Sequence, residues 1–227
     1  MTTAGEIAVV LVSGGMDSCV TLAEAMARGL EPALMHVQYG QRTQRRERRA
    51  FEAVADHFGV PAARRLVVDI SHLAAIGGSS LTDPAEGVAD GRLDAPGVPR
   101  TYVPFRNGNL LAIAASWAEV LGAGSIWLGV VEEDGSGYPD CRLDFIRAME
   151  TALRLGTAGA RTLRIETPLI ALDKAGIVTR GRELGAPFHL TWSCYREEER
   201  ACGSCDSCLL RLRGFARAGM PDPIRYG

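Results

Sequence analysis

What the chain lacks narrows the field before any motif is read. No apolar run reaches about 18 residues, the length a membrane-spanning helix needs. The first twelve residues carry Glu6 and no basic start, so a secretory leader is not expected either. Excess charge is also missing: 25 basic residues face 27 acidic ones at an isoelectric point near 6.1, giving no general attraction to nucleic acid or to an anionic membrane. There is no internal repeat, no low-complexity tract and no linker between independent domains. His36, His57, His72 and His189 are scattered without metal spacing, and no Ser-His-Asp or Cys-His set stands out. These absences predict a cytoplasmic globular protein with no stable nucleic-acid partner. The single basic run, Arg42 to Arg49, reads as a solvated helix face.

What is present is ordinary globular composition, 47% hydrophobic and 23% charged, in a chain of 227 residues. That length fits one domain, or one with a small appendage. Residues 7–12 form an unbroken β-branched apolar run, the signature of a strand buried on both faces of a parallel sheet. Helical spacing follows over 18–28, a strand over 32–39, a helix over 44–58 and a strand over 66–70. Helix then covers 109–121, strand 125–131, helix 143–155, strand 164–168 and helix 174–184. Alternation of this kind predicts a doubly wound α/β domain with a mostly parallel sheet. We divide it into an α/β unit over 1–190 and a cysteine-bearing segment over 191–227. Residues 72–99, rich in Gly, Pro, Asp and Ser, have the length of a functional loop or lid.

Ser13-Gly14-Gly15-Met16-Asp17-Ser18 lies where the first strand gives way to a helix, the place where an open α/β sheet offers a ligand. Two glycines bring backbone N–H groups up to an anion, and the helix start adds its positive end. Both glycines are expected to serve anion contact rather than chain bending. Ser13 and Ser18 can donate hydroxyl bonds to the same oxygens, while Asp17 can hold Mg²⁺ or fix the loop. No Gly-Lys-Ser/Thr follows, so this is not the Walker pattern, and it is not the dinucleotide Gly-x-Gly-x-x-Gly pattern either.

Six cysteines are unevenly placed: Cys19 and Cys141 stand alone, whereas Cys194, Cys202, Cys205 and Cys208 follow the spacing Cys-x₇-Cys-x₂-Cys-x₂-Cys. Two-residue gaps turn consecutive thiolates onto one cation. This predicts a closed structural Zn²⁺ site, with an iron–sulfur cluster as the rival.

The six-residue loop resembles that of the N-type ATP pyrophosphatases, which adenylate an oxygen and then displace it. Three further segments appear in order before or at the cysteines: Thr101-Tyr-Val-Pro-Phe-Arg-Asn107, Gly137-Tyr-Pro-Asp-Cys-Arg142 and Thr191-Trp-Ser-Cys-Tyr195. Together they make the chain similar, over residues 7–222, to the QueC family of queuosine biosynthesis. The resemblance implies a HUP-like fold and an ATP-dependent ligase that converts 7-carboxy-7-deazaguanine and ammonia to a nitrile. The substrate carboxylate attacks the α-phosphorus, pyrophosphate leaves and ammonia displaces AMP to give an amide. A second activation then leaves the nitrile.

On this resemblance ATP sits on Val12, Ser13, Gly14, Gly15, Met16, Asp17, Ser18 and Arg106. Asp17, Ser18, Arg106 and Arg142 are the candidate catalytic residues, and Asp134, Tyr138, Asp140 and Arg142 the candidate substrate contacts. Arg106 and Arg142 suit a phosphate or a substrate carboxylate through their planar forks. Asp134 and Asp140 suit a purine-like amidine edge or Mg²⁺, and Tyr138 a stacked ring, though simple packing serves as well. Asn107 instead suits a helix cap. A homodimer is expected. The sequence departs from the family pattern at Phe105, where many members have glycine, at Thr43, where histidine is common, and in the acidic Glu132-Glu133-Asp134. These departures keep three other readings open: transfer of the acyl group to another amine, modification of a tRNA base, and a zinc-stabilised nucleotide sensor.

Overall fold

The computed structural model describes residues 5–93, 97–132, 137–158 and 162–227. Strand β1 (Ile7–Leu11) has four of its five residues buried, because a sheet covered by helices on both faces leaves a central strand no wet side. Helix α1 (Met16–Ala27) follows, then β2 (Glu31–Gln38), α2 (Gln44–His57) and β3 (Arg65–Asp69). A short helix α3 (His72–Ile76) begins the long connection predicted over 72–99. Next come α4 (Arg106–Leu121), β4 (Ser125–Trp127), α5 (Leu143–Gly156), β5 (Arg164–Glu166), α6 (Lys174–Glu183) and α7 (Asp206–Arg217).

Among the described residues the five strands form one sheet in the order β3-β2-β1-β4-β5, every pair parallel. The order reverses direction between β1 and β4. Loops leaving the carboxyl ends of those two strands therefore diverge to opposite faces and open a crevice.

Three boundaries differ from the sequence reading. Helix α1 starts at Met16 because Gly15, extended at φ −81° and ψ 167°, already serves as its N-cap, so Asp17 and Ser18 stand on the first helical turn. Helix α4 starts at Arg106, three residues early, so that Arg106 and Asn107 are also helical. Strand β4 has three residues, not seven: past Trp127 the chain leaves the ladder, with Leu128 N donating to Glu166 O and Glu132 N to Ile170 O. Residues 128–131 turn instead toward the crevice.

The C-terminal segment shares its packing with the rest. Phe215 of α7 lies with Met16, Val20, Ile177 and Phe188 in one buried cluster, while Trp192 and three of the four clustered cysteines pack with Ala50 of α2. Arg211, almost wholly buried, ties this segment down. Its guanidinium donates to both Asp222 oxygens at 2.8 and 3.0 Å, to Thr191 Oγ1 at 2.8 Å and to Phe188 O at 3.2 Å. A charge so buried is tolerated because each donor finds a partner. Two arginines of α2 also meet this segment: exposed Arg45 pairs with Glu198 at 2.9 Å and the Arg46 guanidinium lies 4.5 Å from the Trp192 ring centre. Among the described residues no helix is long and apolar enough to cross a membrane.

Candidate active site at the crossover of the sheet

A cavity of about 780 Å³ occupies the crevice. Its floor is the carboxyl ends of β1, β2 and the chain after β4, through Leu11, Met35, Val37 and Leu128. Its rim combines the phosphate loop, the start of α4, the connection after α3, and the cysteine segment.

The phosphate loop is organised by its own side chains. Gly15 N donates to Ser13 Oγ at 3.2 Å, Ser13 and Ser18 hydroxyls lie 3.2 Å apart, and Ser18 Oγ donates to Gly15 O at 3.0 Å. Ser13, Gly15, Met16, Asp17 and Ser18 line the cavity, Val12 beside them. Gly14 does something else. It adopts φ +92°, and a Cβ there would lie 2.5 Å from the Glu47 backbone oxygen of α2. Its absent side chain is thus required by packing and by a left-handed backbone. Gly15 is the glycine turned to the cavity: a Cβ on it would meet only Ser13 Oγ at 3.3 Å and Trp192 O at 3.6 Å. Behind the loop, buried His36 bonds through Nδ1 to Val12 O at 3.0 Å and stacks on Phe51. Burial lowers its pKa to about 4 against the opposing pull of the Val12 bond, so the ring is neutral.

Two cations face this loop. Lys174, the first residue of α6, donates from Nζ to Asp17 Oδ2 at 2.8 Å. Its helix start is fixed by Asp173, whose carboxylate accepts from Gly176 N at 2.7 Å. The other Asp17 oxygen, Oδ1, is buried without a hydrogen-bond partner and is free to meet a cation. Arg106 donates to Tyr39 Oη at 3.3 Å and to Asn107 Oδ1 at 3.4 Å, and its buried Nε has no partner. Among the described residues no carboxylate forms an ion pair with it. Its charge is felt at the nearby Glu47 and Asp140 carboxyls, and its unpartnered Nε leaves a donor for an anion.

Tyr138 also lines the cavity. Its hydroxyl lies 2.7 Å from Thr101 Oγ1, and its ring sits 5.6 Å from that of Tyr102 at a tilt of 38°. Glu47 lines it from α2, its two oxygens accepting from Gln41 Nε2 at 2.9 Å and Thr43 Oγ1 at 2.8 Å. Burial raises the pKa of this carboxyl, countered in part by those two donors.

The remaining expected contacts stand elsewhere. Asp140 is buried, and its Oδ2 accepts from Asn107 N at 2.9 Å, which caps α4 and holds the helix start that carries Arg106. Burial raises its pKa as well. Asn107 is therefore the capped residue rather than the cap. Arg142 is exposed at the N-terminus of α5 and does not line the cavity. Asp134 lies outside the described residues.

The four clustered cysteines bring their sulfurs within 4.8 Å of one another. Cys194 Sγ accepts from the backbone N–H groups of Arg196, Glu197 and Cys202 at 3.3–3.4 Å, and Cys202 Sγ from Cys205 N at 3.3 Å. Backbone donors around thiolate sulfurs are the outer shell that a four-thiolate metal site uses. The cage thus fits a single tetrahedral ion, Zn²⁺ being the usual occupant. Trp192, Ser193, Tyr195, Asp206 and Ser207, all close to these cysteines, form one wall of the cavity.

With this geometry in view, the family model described as "Queuosine biosynthesis protein QueC" matches residues 7–219. The chain belongs to the QueC family. Among similar QueC-type relatives is a protein of Chlorobium phaeobacteroides named 7-cyano-7-deazaguanine synthase, 54% identical over 219 residues and covering 96% of each chain. Another of that name, from Chlorobaculum tepidum, is also 54% identical at the same coverage. A solved 4-thiouridine synthetase, in complex with RNA and ATP, shares the fold at a TM-score of 0.51 and 18% identity, covering 97% of this chain and 47% of that one.

Seen as a QueC-family site, two features gain a physical reason. Phe105 stands in the left-handed region at φ +54°, a conformation glycine adopts without strain. Its ring reaches over Gly108, where any Cβ would come within 2.3 Å of it, and lies edge-on 5.7 Å from Phe145. Lys174 was missed in the sequence because a basic residue at a helix start has no local signature. Its signal was compositional: it is the one lysine among 25 basic residues.

Proposed function

We propose that this chain is a 7-cyano-7-deazaguanine synthase: an ATP-dependent ligase that converts 7-carboxy-7-deazaguanine and ammonia to the nitrile in queuosine or related 7-deazapurine biosynthesis. The observation that carries this reading is the 54% identity to synthases of that name across 96% of both chains. The cavity supports it by placing an anion cradle and an ion-pair-free Arg106 on one space large enough for two small ligands.

The residues divide the work as follows. Ser13, Gly15, Ser18 and the α1 N-terminus receive the β- and γ-phosphates, and Lys174 adds a positive charge. Asp17, with one buried oxygen bare, would be the residue to hold Mg²⁺, which would neutralise phosphate charge. Arg106 grips the substrate carboxylate or the α-phosphate, orienting the attacking oxygen in line with the pyrophosphate leaving group. Tyr138 and Tyr195 give aromatic surface to the deazapurine. Glu47 is placed to take a proton from ammonium, since burial holds its carboxyl above the usual carboxylate range. Charge stabilisation and positioning supply the rate, as the step requires no strong base. Zn²⁺, held by Cys194, Cys202, Cys205 and Cys208, supplies folding free energy rather than chemistry, because all four ligand positions are protein thiolates. We further infer a cytoplasmic homodimer without a stable nucleic-acid partner.

Incubation of the metal-loaded protein with ATP, ammonium and 7-carboxy-7-deazaguanine, followed by mass analysis, tests the assignment. Formation of the nitrile with AMP and pyrophosphate is expected. Absence of nitrile, with a modified tRNA or a different amide in its place, rejects it.

A further inference from the structure

The connection after α3 and the cysteine segment meet along one wall of the cavity, and how they meet goes beyond the metal-site fold itself. Residues Glu86 to Asp90, with Arg92 and Leu93, line the cavity. The root of this stretch is pinned to the α/β body. Arg42 Nε donates to Ser80 O at 3.0 Å, its Nη2 donates to Asp83 O and Glu86 O, and Arg100 pairs with both oxygens of Glu86 at 2.7 and 2.8 Å.

The tip is held by a different set of partners, from the residues flanking Cys205 and from Arg196. Gly91 N donates to Ser204 O at 2.7 Å. Arg92 N donates to Asp206 Oδ1 at 2.8 Å. Arg196 bridges the two segments, donating to Ser204 Oγ at 3.0 Å and to Asp90 Oδ1 at 2.9 Å. The approach is so close that a Cβ on Gly91 would lie 2.7 Å from the Asp206 backbone nitrogen, which makes glycine obligatory there. Ser204 and Asp206 are themselves held by the cage, one residue on either side of a ligand cysteine.

We propose that these contacts form a latch, with Gly91, Arg196 and Asp206 as positioning residues that close residues 86–93 over the cavity and keep water from the activated carboxylate. This rests on the proposed reaction and adds to it. An acyl adenylate is open to water as well as to ammonia, water being the weaker nucleophile but far more abundant: it attacks the carbonyl carbon and breaks its C–O bond to the phosphate, regenerating the carboxylate and releasing AMP without product. A closed wall made from the metal knuckle shields the adenylate from bulk water during its lifetime. Asp206 contributes an acceptor, not a charge, to this contact. Its partner is a neutral backbone N–H, so asparagine in its place keeps the latch.

The test compares wild type, Gly91→Ala, Asp206→Ala and Asp206→Asn, each confirmed to retain wild-type zinc content and ATP affinity. Two readouts are taken: AMP released per nitrile formed, and hydrogen–deuterium exchange of the peptide spanning residues 88–93. In Gly91→Ala and Asp206→Ala, exchange of that peptide rises and AMP per nitrile rises at least about fivefold; Asp206→Asn stays at the wild-type values in both. Unchanged exchange in Gly91→Ala and Asp206→Ala overturns the latch. Faster exchange with unchanged AMP per nitrile overturns its water-excluding role. A wild-type protein that makes no nitrile at all would instead reject the reaction assignment, and the exchange readout would still decide the latch.

Discussion

At the phosphate end of the cavity, six consecutive residues on a buried strand and its following helix make the whole cradle, mostly from backbone. At the opposite end, the wall is assembled from the connection after α3, the start of α7 and four cysteines, joined by bonds between residues more than a hundred positions apart. The first end takes its conformation from β1 and α1, with α2 packed against Gly14 and Lys174 of α6 paired with Asp17. The second depends on long-range docking around a four-cysteine cage, so on the proposed zinc assignment its stability is coupled to occupancy of the cage. An enzyme built this way can bind nucleotide with one end and lose selectivity or turnover through the other.

That contrast can be broken at several strengths. The largest effect is expected from Cys205→Ser: a cage with three thiolates loses most of a metal-binding free energy on the order of 10 kcal/mol, and the wall unfolds. Elemental analysis should show loss of about one zinc per chain, and ATP binding should survive better than turnover; intact metal content would contradict the cage assignment. Next come the paired glycines. Gly14→Ala meets both a left-handed backbone and the α2 carbonyl, and should cost on the order of 3 kcal/mol in urea unfolding. Gly15→Ala should leave stability near wild type and weaken ATP binding. Equal stability losses would erase the distinction drawn between the two positions.

Lys174→Met should lower kcat/KM by about a hundredfold, close to 2.7 kcal/mol of transition-state stabilisation. Because no other lysine exists, protection of this side chain by ATP can be read directly with an amine-reactive label and peptide mapping. A smaller effect concerns the packing behind the loop. His36 has its pKa lowered to about 4 mainly by burial, against an unfolded value near 6.5. The unfolded chain therefore binds the extra proton first. This group leaves stability flat above about pH 6.5, and stability falls as pH drops from there toward 4, by about 2 kcal/mol at pH 5. Urea titrations at pH 7 and pH 5 should show that loss in wild type and not in His36→Gln; parallel losses would acquit the histidine. The smallest change is expected at Phe105→Gly, where relief of the left-handed strain and loss of the edge-on contact with Phe145 nearly cancel, within about 1 kcal/mol by thermal unfolding.

The same contrast explains what could be read from the chain alone. The parallel sheet, the loop at its crossover and the cysteine cage were legible, since each is written in contiguous residues or fixed spacing: the apolar run before Ser13, the Ser-Gly-Gly turn, the two-residue gaps at Cys202, Cys205 and Cys208. Residues whose role arises from docking were not. Lys174 comes from α6, more than 150 positions along the chain yet packed against α1, and Glu47 faces the cavity only because α2 lies directly on Gly14. Asp140 was expected at the substrate and is instead at the α4 N-terminus, a contact with Asn107 across 33 positions that no local pattern announces. Arg142 was singled out by its motif, yet its side chain faces solvent. The basic run was expected to be a solvated face, and Arg42, Arg45 and Arg49 are indeed exposed; Arg42 also donates to the connection after α3, and Arg45 and Arg46 meet the cysteine segment.

The most direct test is a crystal structure of the zinc-loaded protein with a non-hydrolysable ATP analogue and 7-carboxy-7-deazaguanine. The account predicts the triphosphate on Ser13, Gly15, Ser18 and Lys174, with the substrate carboxylate facing the α-phosphorus beside Arg106. A nucleotide bound away from the β1–α1 turn, or a substrate seated outside the cavity, would contradict it.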